Sequence, residues 1–301
     1  MPYAPIALFV YNRPAHTRQT VAALKKNTLA RESDLFVFSD APKSIEASAA
    51  VREVRDTIAA IDGFKSVTVL ARNENLGLAR SIVAGVTQLI EERARVIVLE
   101  DDLVTSPHFL EYMNAALDRY DGEDRVMQIA GYMYPVTPKI AEDALFLPFI
   151  SSWGWATWRR AWAHFAWRDQ DFAAVLDDPA TTRRFDLDGH YKFSKSLRAQ
   201  QQGKVDSWAI HWYLSVFLRR GLALFPKKTL VHNLGFDGTG VNCFVSKIDQ
   251  DDLDLEFRVA EYPELIDVSA QAGDVIKNIP AARLSLPAVL NRVSRALQLR
   301  T

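Results

Sequence analysis

The first 120 residues alternate between short apolar runs and longer amphipathic segments. The apolar runs predict buried strands at residues 6–11, 34–39, 67–71 and 96–99. The amphipathic segments predict helices near residues 14–27, 45–61, 80–92 and 109–120. Strands that alternate with helices of ten or more residues are typical of βαβ units. The pattern therefore predicts an α/β fold with a mainly parallel sheet and helices on both faces.

Polar groups follow each predicted strand, at the edge where ligands of such sheets bind. No GxGxxG follows the first strand and no GxxxxGK[ST] occurs anywhere, which disfavours a dinucleotide oxidoreductase and a P-loop NTPase. The groups at the strand ends are Tyr11, Asn12 and Arg13, then Asp40, then Asn75, Gly77 and Arg80, and finally Glu100, Asp101 and Asp102.

The three consecutive carboxylates of Glu100, Asp101 and Asp102 have two interpretations. Crowded negative charges raise each other's pKa values and cost free energy unless a cation neutralises them. Oxygen ligands at the carboxyl end of a parallel strand suit Mg²⁺ or Mn²⁺ holding a phosphate. Alternatively, the run is a solvated acidic loop before a helix that Ser106 and Pro107 open.

All seven tryptophans lie in the second half of the chain. Flat apolar rings with a polar edge suit the faces of sugars as well as a protein core. The helical spacing of Trp158, Trp162 and Trp212 favours core positions. Trp153 or Trp155 is the better candidate for the wall of a sugar-binding pocket.

Two more polar residues of this half are candidates for chemistry. Asp206 precedes a predicted helix that ends near residue 219, and it is either a general base or the N-cap of that helix. His232 follows an apolar run and is a metal ligand, a phosphate donor or a structural residue. Three glycines among residues 235–240 predict either a mobile loop or a surface turn.

Composition narrows the classes of protein. A chain of 301 residues with 49% hydrophobic residues can bury a large core. The net charge of -1 and the pI of about 6.6 give no field that favours nucleic acid. The single cysteine, Cys243, excludes an internal disulfide framework and fits a reducing compartment. The first apolar run is too short for a membrane span, so we expect no signal peptide and a cytoplasmic location.

The end of the chain changes character, because no acidic residue follows Asp274. Apolar residues recur at helical spacing beside Arg292, Arg295 and Arg300. This pattern predicts a basic amphipathic helix that contacts a membrane surface, or one that docks on its own domain or on a partner subunit. We therefore expect a main domain over residues 1–245 and a C-terminal extension over 246–301. The main domain is expected to divide into halves at residues 131 and 132.

Residues 6–13, 38–40, 75–80 and 98–103 resemble the nucleotide-sugar half of GT-A-fold glycosyltransferases, including bacterial family-2-type enzymes. The likeness to the N-acetylglucosaminyltransferase I family is closer and covers roughly residues 5–245. It is carried by Glu-Asp-Asp-Leu at 100–103, Pro-x-Phe-x-Glu-Tyr at 107–112, Gly-Trp at 154–155, a Val-Asp-Ser-Trp element at 205–208 and a Lys-containing strand before a glycine loop at 226–240.

This resemblance implies an inverting, metal-dependent transfer from a nucleoside-diphosphate sugar, with a UDP-sugar favoured. The moved group would be a hexosyl or N-acetylhexosaminyl unit, and the acceptor a hydroxyl of a saccharide or glycolipid in polysaccharide biosynthesis. Ser207 stands where the family has a second Asp. The implied roles are metal binding by Asp102, support of the site and the ribose by Asp101, nucleoside contacts by Arg13 and Asp40, nucleotide contact by Arg80, and general-base catalysis by Asp206.

Two other functions stay open at this point. A nucleotidyltransferase shares a similar sheet and also needs a metal, but residues 12–14 are not the glycine- and Lys-rich loop that it requires. A non-catalytic carbohydrate-binding protein would use the tryptophans and would have no need for the carboxylate cluster. Metal-dependent nucleotide binding would separate this last class from the two enzymes.

Overall fold

A computed structural model describes residues 2–136, 138–167, 170–237, 253–268 and 272–278. Ten strands form one eight-stranded sheet and one two-stranded antiparallel ribbon, which consists of the fifth and tenth strands. The strands are β1 Ile6–Val10, β2 Asp34–Ser39, β3 Ser66–Ala71, β4 Arg95–Glu100, β5 Leu103–Thr105, β6 Val126–Ala130, β7 Ala144–Leu147, β8 Trp155–Trp158, β9 Leu222–Pro226 and β10 Val231–Asn233.

Helices alternate with the strands in the first half of the sheet, and further helices form the segment that precedes β9. Pro14 opens the first helix because its fixed φ suits the first helical position and its missing N–H is not needed there. The helices are α1 Pro14–Lys25, α2 Ser48–Ala59, α3 Leu78–Arg93, α4 Phe109–Arg119, α5 Arg159–Trp162, α6 Gln170–Leu176, α7 Pro179–Phe185, α8 Phe193–Gln201, α9 Trp208–Leu218 and α10 Ala272–Asn278.

The large sheet has the strand order β3-β2-β1-β4-β8-β6-β9-β7. The four predicted strands, β1 to β4, pair in parallel, and β6 and β9 run in the same direction. Only β8 and β7 run against their neighbours. All residues of β1 are buried, as expected for a strand covered on both faces. The predicted α/β fold with a mainly parallel sheet is therefore confirmed.

The second half contains elements that apolar periodicity did not predict. The antiparallel strand β8 inserts between β4 and β6, so the sheet runs without a break through both of the expected halves. The ribbon of β5 and β10 places residues 231–233 directly beside the chain that leaves the acidic run. These pairings join segments more than a hundred residues apart, which local patterns do not report.

Aromatic rings fill the core of the second half. Trp158, Trp162 and Trp212 are buried, which confirms the expectation that they are core residues. Trp155 is 0% exposed and stacks on Trp208, with ring centroids 5.0 Å apart. Its position corrects the interpretation of Trp155 as a pocket wall, because a ring with no exposed surface cannot line an open pocket.

Residues 253–268 pack on the core without forming a regular element. The Tyr262 ring stacks on Tyr112 at 6.4 Å, and the carboxylate of Asp143 accepts the N–H groups of residues 260 and 261 at 3.0 Å. Among the described helices, none has the length and apolar content that a bilayer span requires. The predicted basic tail and Cys243 lie outside the described residues.

Candidate functional site

The carboxyl ends of β1 and β4 bring together the centre of the candidate site. Asp101 and Asp102 are only 3% and 6% exposed, and Arg13, which precedes α1, reaches both. Its Nη2 donates to Asp101 and lies 2.9 Å from Oδ2 of Asp102. The Tyr11 N–H also points to Asp101, at 3.3 Å from Oδ2. The structure thus joins three of the predicted residues in one buried ion-pair network.

This network holds more negative than positive charge. Burial and the two neighbouring aspartates raise the pKa of Glu100 to about 8. Burial raises the pKa of Asp101 to about 6, although Arg13 opposes the shift. Burial disfavours the charged form of Arg13, yet the two aspartates hold its pKa above the ordinary value. At neutral pH Glu100 is therefore mostly protonated, while the two aspartates outnumber the single guanidinium, so a bound cation would be favoured here.

The ribbon of β5 and β10 supports Asp102 from behind. The Leu234 N–H donates to the Asp102 backbone oxygen at 2.8 Å. Gly235 packs so closely on the Asp102 carboxylate that a Cβ there would overlap Oδ2. The Gly235 N–H in turn donates to Oδ1 of Asn233 at 2.7 Å. Beyond it, Nε2 of His16 lies 3.1 Å from Asp237, which ties this turn to α1.

Asp40 organises the next strand exit, after β2. Its two carboxylate oxygens accept the N–H groups of Leu76 and Gly77 at 3.0 and 2.9 Å. Gly77 adopts a φ of 75° just before α3, a conformation that favours glycine. Asn75 adds a bond to the Ala41 oxygen at 2.6 Å. Asp40, Asn75 and Gly77 therefore join the loops that follow β2 and β3.

The remaining residues of the predicted nucleotide side lie around these loops. The Tyr11 hydroxyl accepts the Lys43 N–H at 2.9 Å, and Asn12 is half-buried. Arg80 is exposed in the first turn of α3, which Asp40 anchors through Gly77. These positions place polar side chains of all four strand exits along one edge of the sheet.

Arg55 of α2 is a residue of this region that the sequence did not identify. Its guanidinium donates to the Arg72 oxygen at 2.7 Å, and to Oγ of Ser39 and the oxygen of Asp40 at 3.4 Å. It therefore connects the ends of β2 and β3. In the sequence, Gly235 is visible only as one glycine of a glycine-rich loop. No local pattern indicated the contacts of Arg55 or the contact between Gly235 and Asp102.

Asp206 lies at the same edge but in a different environment. Trp208, the first residue of α9, stacks on Trp155 at the start of β8. The other end of the helix lies near the start of β6, through Val216 and Gly221. The N-terminus of α9 consequently faces the edge where β4 and β6 end. Asp206 is exposed there.

The alternative role of Asp206 as a helix cap is wrong. Ser207 is the N-cap of α9, and its Oγ accepts the Ile210 N–H at 3.4 Å. The side chain of Asp206 therefore does not cap the start of the helix, and its carboxylate remains exposed to solvent beside the first turn.

Trp153, the other candidate for a pocket wall, lies near Asp102. Its ring is half-buried between Tyr132 and Phe236, at centroid distances of 4.4 and 5.4 Å. Phe236 follows Gly235, the residue that packs on the Asp102 carboxylate. Trp153 and Phe236 thus form an aromatic wall beside the acidic centre.

The donor set suits a hard divalent cation. In the described part of the chain, no three His, Cys, Asp or Glu residues converge on one metal position. Magnesium-type sites commonly use one or two carboxylates and complete their shell with water and substrate phosphates. Asp102 fits such a role because its Oδ2 carries the ion pair to Arg13, which leaves Oδ1 for a ligand. His232 sits opposite Val104 in the ribbon, next to Asn233, and stays a prediction as a metal ligand.

Comparison with known proteins decides the family. The model of glycosyl transferase family 2 matches residues 6–168, more than half of the chain. The chain belongs to glycosyl transferase family 2. No similar sequence is found among curated proteins.

Similarity to solved structures is distant. The mannosyltransferase PcManGT from Pyrobaculum calidifontis, in complex with GDP-Man and Mn²⁺, is 13% identical with a TM-score of 0.38, over 72% of this chain and 74% of that one. S. aureus TarS 1-349 is 11% identical with a TM-score of 0.42, over 76% and 60%. Apo mouse xyloside xylosyltransferase 1 is 13% identical with a TM-score of 0.38, over 71% and 80%. Such distant likeness carries no argument about substrates.

Family membership makes this protein a glycosyltransferase that uses a nucleotide sugar, with the GT-A fold. It decides against a nucleotidyltransferase and a carbohydrate-binding module as the main function. The family alone assigns no role to an individual residue of the site.

Proposed function

We propose that this family-2 glycosyltransferase moves a hexosyl or N-acetylhexosaminyl group, with inversion and with a divalent metal, from a UDP-sugar to a saccharide or glycolipid hydroxyl. The observation that carries the proposal is the buried cluster of Asp101, Asp102 and Arg13 at one edge of the sheet, with the exposed Asp206 at the same edge.

The donor would bind along the first four strand exits. Asp102 would hold Mn²⁺ or Mg²⁺, and a bound cation would supply positive charge to the leaving diphosphate. Asp101 would keep Arg13 and the Tyr11 backbone in position and contact the ribose. The loops that Asp40 joins would hold the nucleoside, with Asn12, Asn75 and Gly77 beside it. Arg80 would face the nucleotide from α3.

The acceptor would enter from the side of Asp206. A general base must reach the hydroxyl opposite the leaving group, and an exposed carboxylate can meet an incoming hydroxyl there. Asp206 would accept the hydroxyl proton as the new bond to the anomeric carbon forms. Trp153 and Phe236 would offer apolar faces to a sugar ring.

A single assay series tests this function. Hydrolysis of several UDP- and GDP-sugars is measured with Mn²⁺, with Mg²⁺ and with chelator, and the configuration of the released sugar is followed by NMR. We expect hydrolysis of a UDP-sugar that chelator abolishes and that releases the inverted anomer first. Retention of configuration would contradict inversion, and unchanged hydrolysis in chelator would contradict metal dependence.

We also propose a cytoplasmic location with reversible membrane contact through the basic tail, residues 284–300, which lie outside the described residues. The observation behind this proposal is that apolar residues recur at helical spacing beside Arg292, Arg295 and Arg300. Reversal of these three charges to Glu should abolish flotation with vesicles that contain phosphatidylglycerol. Equal flotation of both proteins would contradict the membrane role of the tail.

A further inference from the structure

The face of α8 that points to solvent carries an unbalanced positive charge. Lys195 and Arg198 of α8, together with Lys192 just before the helix and Lys204 just after it, are here called the basic face, and all four are exposed. None of them forms an ion pair with another described residue. No acidic residue occurs between Gly189 and Val205, although the whole chain has a net charge of only -1. The basic face is therefore a local departure from an almost neutral protein.

The basic face is held in a fixed place. At the start of α8, Asp186 accepts the Ser194 N–H and hydroxyl at 2.7 and 2.6 Å. At its end, the Lys204 N–H returns to the Ala199 oxygen at 2.9 Å, which keeps Lys204 beside the last turn. The backbone that carries the four cations is therefore anchored at both ends of α8.

This surface adjoins the acceptor side of the candidate site. The Ser207 N–H donates to Oε1 of Gln200 at 2.9 Å, which joins the end of α8 to the residue after Asp206. At the other end of the helix, the Tyr191 ring lies 6.3 Å from Tyr134, which packs on Tyr132 beside Trp153. The segment that carries the basic face therefore begins next to Tyr191, whose ring contacts lead to the aromatic wall, and ends at Lys204, two residues before Asp206.

Neighbouring carboxylates do not neutralise the basic face. The carboxylate of Asp186 is directed to Ser194 and forms no ion pair with any of the four cations, and Asp188 lies 3.5 Å from Arg183. Asp206 is the exposed carboxylate nearest in sequence to Lys204, and it would be needed for the acceptor hydroxyl. Four unpaired cations beside one reactive carboxylate complement a ligand with several negative groups.

The surroundings favour a saccharide over a lipid surface. A membrane-binding face combines basic residues with exposed large apolar side chains. Among the described residues from Asp188 to Asp206, Val205 is the only large apolar side chain that is exposed, and one such residue is too little for insertion into a bilayer. The exposed positions between the cations are polar, as at Ser196 and Gln201.

We propose that the acceptor is an anionic saccharide, and that the basic face of α8 binds its phosphate or carboxylate groups while Asp206 meets the hydroxyl. The inference rests on the proposed function and names the chemical class of its acceptor. The interaction is electrostatic and exposed, so it should weaken with salt.

The test compares two variants with the same change in charge. Lys195→Glu/Arg198→Glu reverses two charges of the basic face. The control, Lys26→Glu/Arg31→Glu, reverses two exposed charges near the C-terminus of α1, at the opposite edge of the sheet. Binding is measured by calorimetry with oligogalacturonate, its methyl ester, a phosphorylated maltodextrin and the dephosphorylated form, and with phosphatidylglycerol vesicles.

We expect wild type and control to bind at least one charged oligosaccharide and neither uncharged form. The α8 variant should bind it about tenfold more weakly, and added salt should narrow that difference. Binding of oligogalacturonate alone identifies carboxylate as the recognised group, and binding of phosphodextrin alone identifies phosphate. An equal loss of oligosaccharide affinity in the α8 variant and the control would overturn the proposal. So would α8 substitutions that weaken vesicle binding but not oligosaccharide binding.

Donor hydrolysis separates this proposal from the proposed function. The α8 variant should hydrolyse the UDP-sugar at the wild-type rate, because its substitutions lie outside the donor site. Absence of hydrolysis in the wild type would overturn the proposed function, whatever the result of the binding experiment. Normal hydrolysis with no binding of charged oligosaccharide would overturn only the present inference.

Discussion

The two halves of the sheet hold their carboxylates in opposite ways. Asp101 and Asp102, at the ends of the parallel strands, are buried and locked to Arg13. Asp206, in the half built from mixed strands and aromatic packing, is exposed and held only through its neighbour Ser207. The first environment costs free energy to maintain without a cation, whereas the second costs almost nothing.

Under the proposed function, the donor side is thus prepared before the substrate arrives. Backbone groups fix its residues, as in the bonds from Leu76 and Gly77 to Asp40. The acceptor side offers exposed charges and a half-buried aromatic wall that can adapt to a larger ligand. Substitutions on the two sides should therefore affect different steps.

The largest effect is expected for Asp102→Asn. It removes the carboxylate that Gly235 packs against and whose Oδ1 is left for a ligand, so Mn²⁺-dependent binding of UDP should fall below detection and turnover should fall roughly 1,000-fold or more. The fold should survive because Arg13 keeps Asp101. Titration with UDP and Mn²⁺ checks this, with Asp56→Asn, an exposed residue of α2, as the control. Undiminished metal-dependent binding would refute the assignment.

Asp206→Asn should lower turnover roughly 100- to 10,000-fold, the usual range for loss of a general base. Donor affinity should barely change, because the base acts only as the hydroxyl loses its proton. Steady-state kinetics and donor binding are compared with those of Asp177→Asn, an exposed carboxylate of the same half. Near-normal turnover would mean that another group takes the proton.

Substitution of two tryptophans distinguishes a role in core packing from a role in the aromatic wall. Trp155→Ala should destabilise the protein by about 3–5 kcal/mol, because its ring is fully buried. Trp153→Ala should cost less than about 2 kcal/mol but should raise the acceptor KM. Urea unfolding and acceptor kinetics measure both effects. The opposite order of stabilities would contradict the assignment of Trp153 to the wall.

Gly235→Ala tests the support of Asp102 from behind. The new methyl group would overlap Oδ2, so the carboxylate must shift, and Mn²⁺ affinity should fall about 10- to 100-fold, as for other residues that orient a metal ligand. Gly122→Ala is the matched control, since a Cβ there meets nothing within 4 Å. Equal Mn²⁺ affinities of the two variants would show that Asp102 does not depend on Gly235.

The smallest effect is expected for Arg55→Lys. A single ammonium cannot replace a guanidinium that reaches Ser39, Asp40 and Arg72 together. The donor KM should rise about 3- to 10-fold with little change in kcat. Arg52→Lys, an exposed position of the same helix, should change neither constant. A selective loss of kcat would contradict a role in positioning the nucleotide loops.

Local patterns predicted the first half well for a physical reason. Its strands are buried on both faces and its helices are amphipathic, so each element has a period visible over a few residues. The predicted strand at 34–39 and the first helical residue at Pro14 match the structure. The alternative that Asp206 caps a helix failed because Ser207, the next residue, is an equally good cap.

By itself, the sequence determined the α/β class, the parallel strands β1 to β4 and the collection of polar residues at their carboxyl ends. Tertiary structure alone decided that β8 inserts antiparallel between β4 and β6, which buries Trp155, and that β10 brings Gly235 onto Asp102. Periodicity reports which face of an element is buried. It carries no information about which distant segment pairs with that element, because such pairing depends on the shape and backbone hydrogen bonds of the assembled sheet.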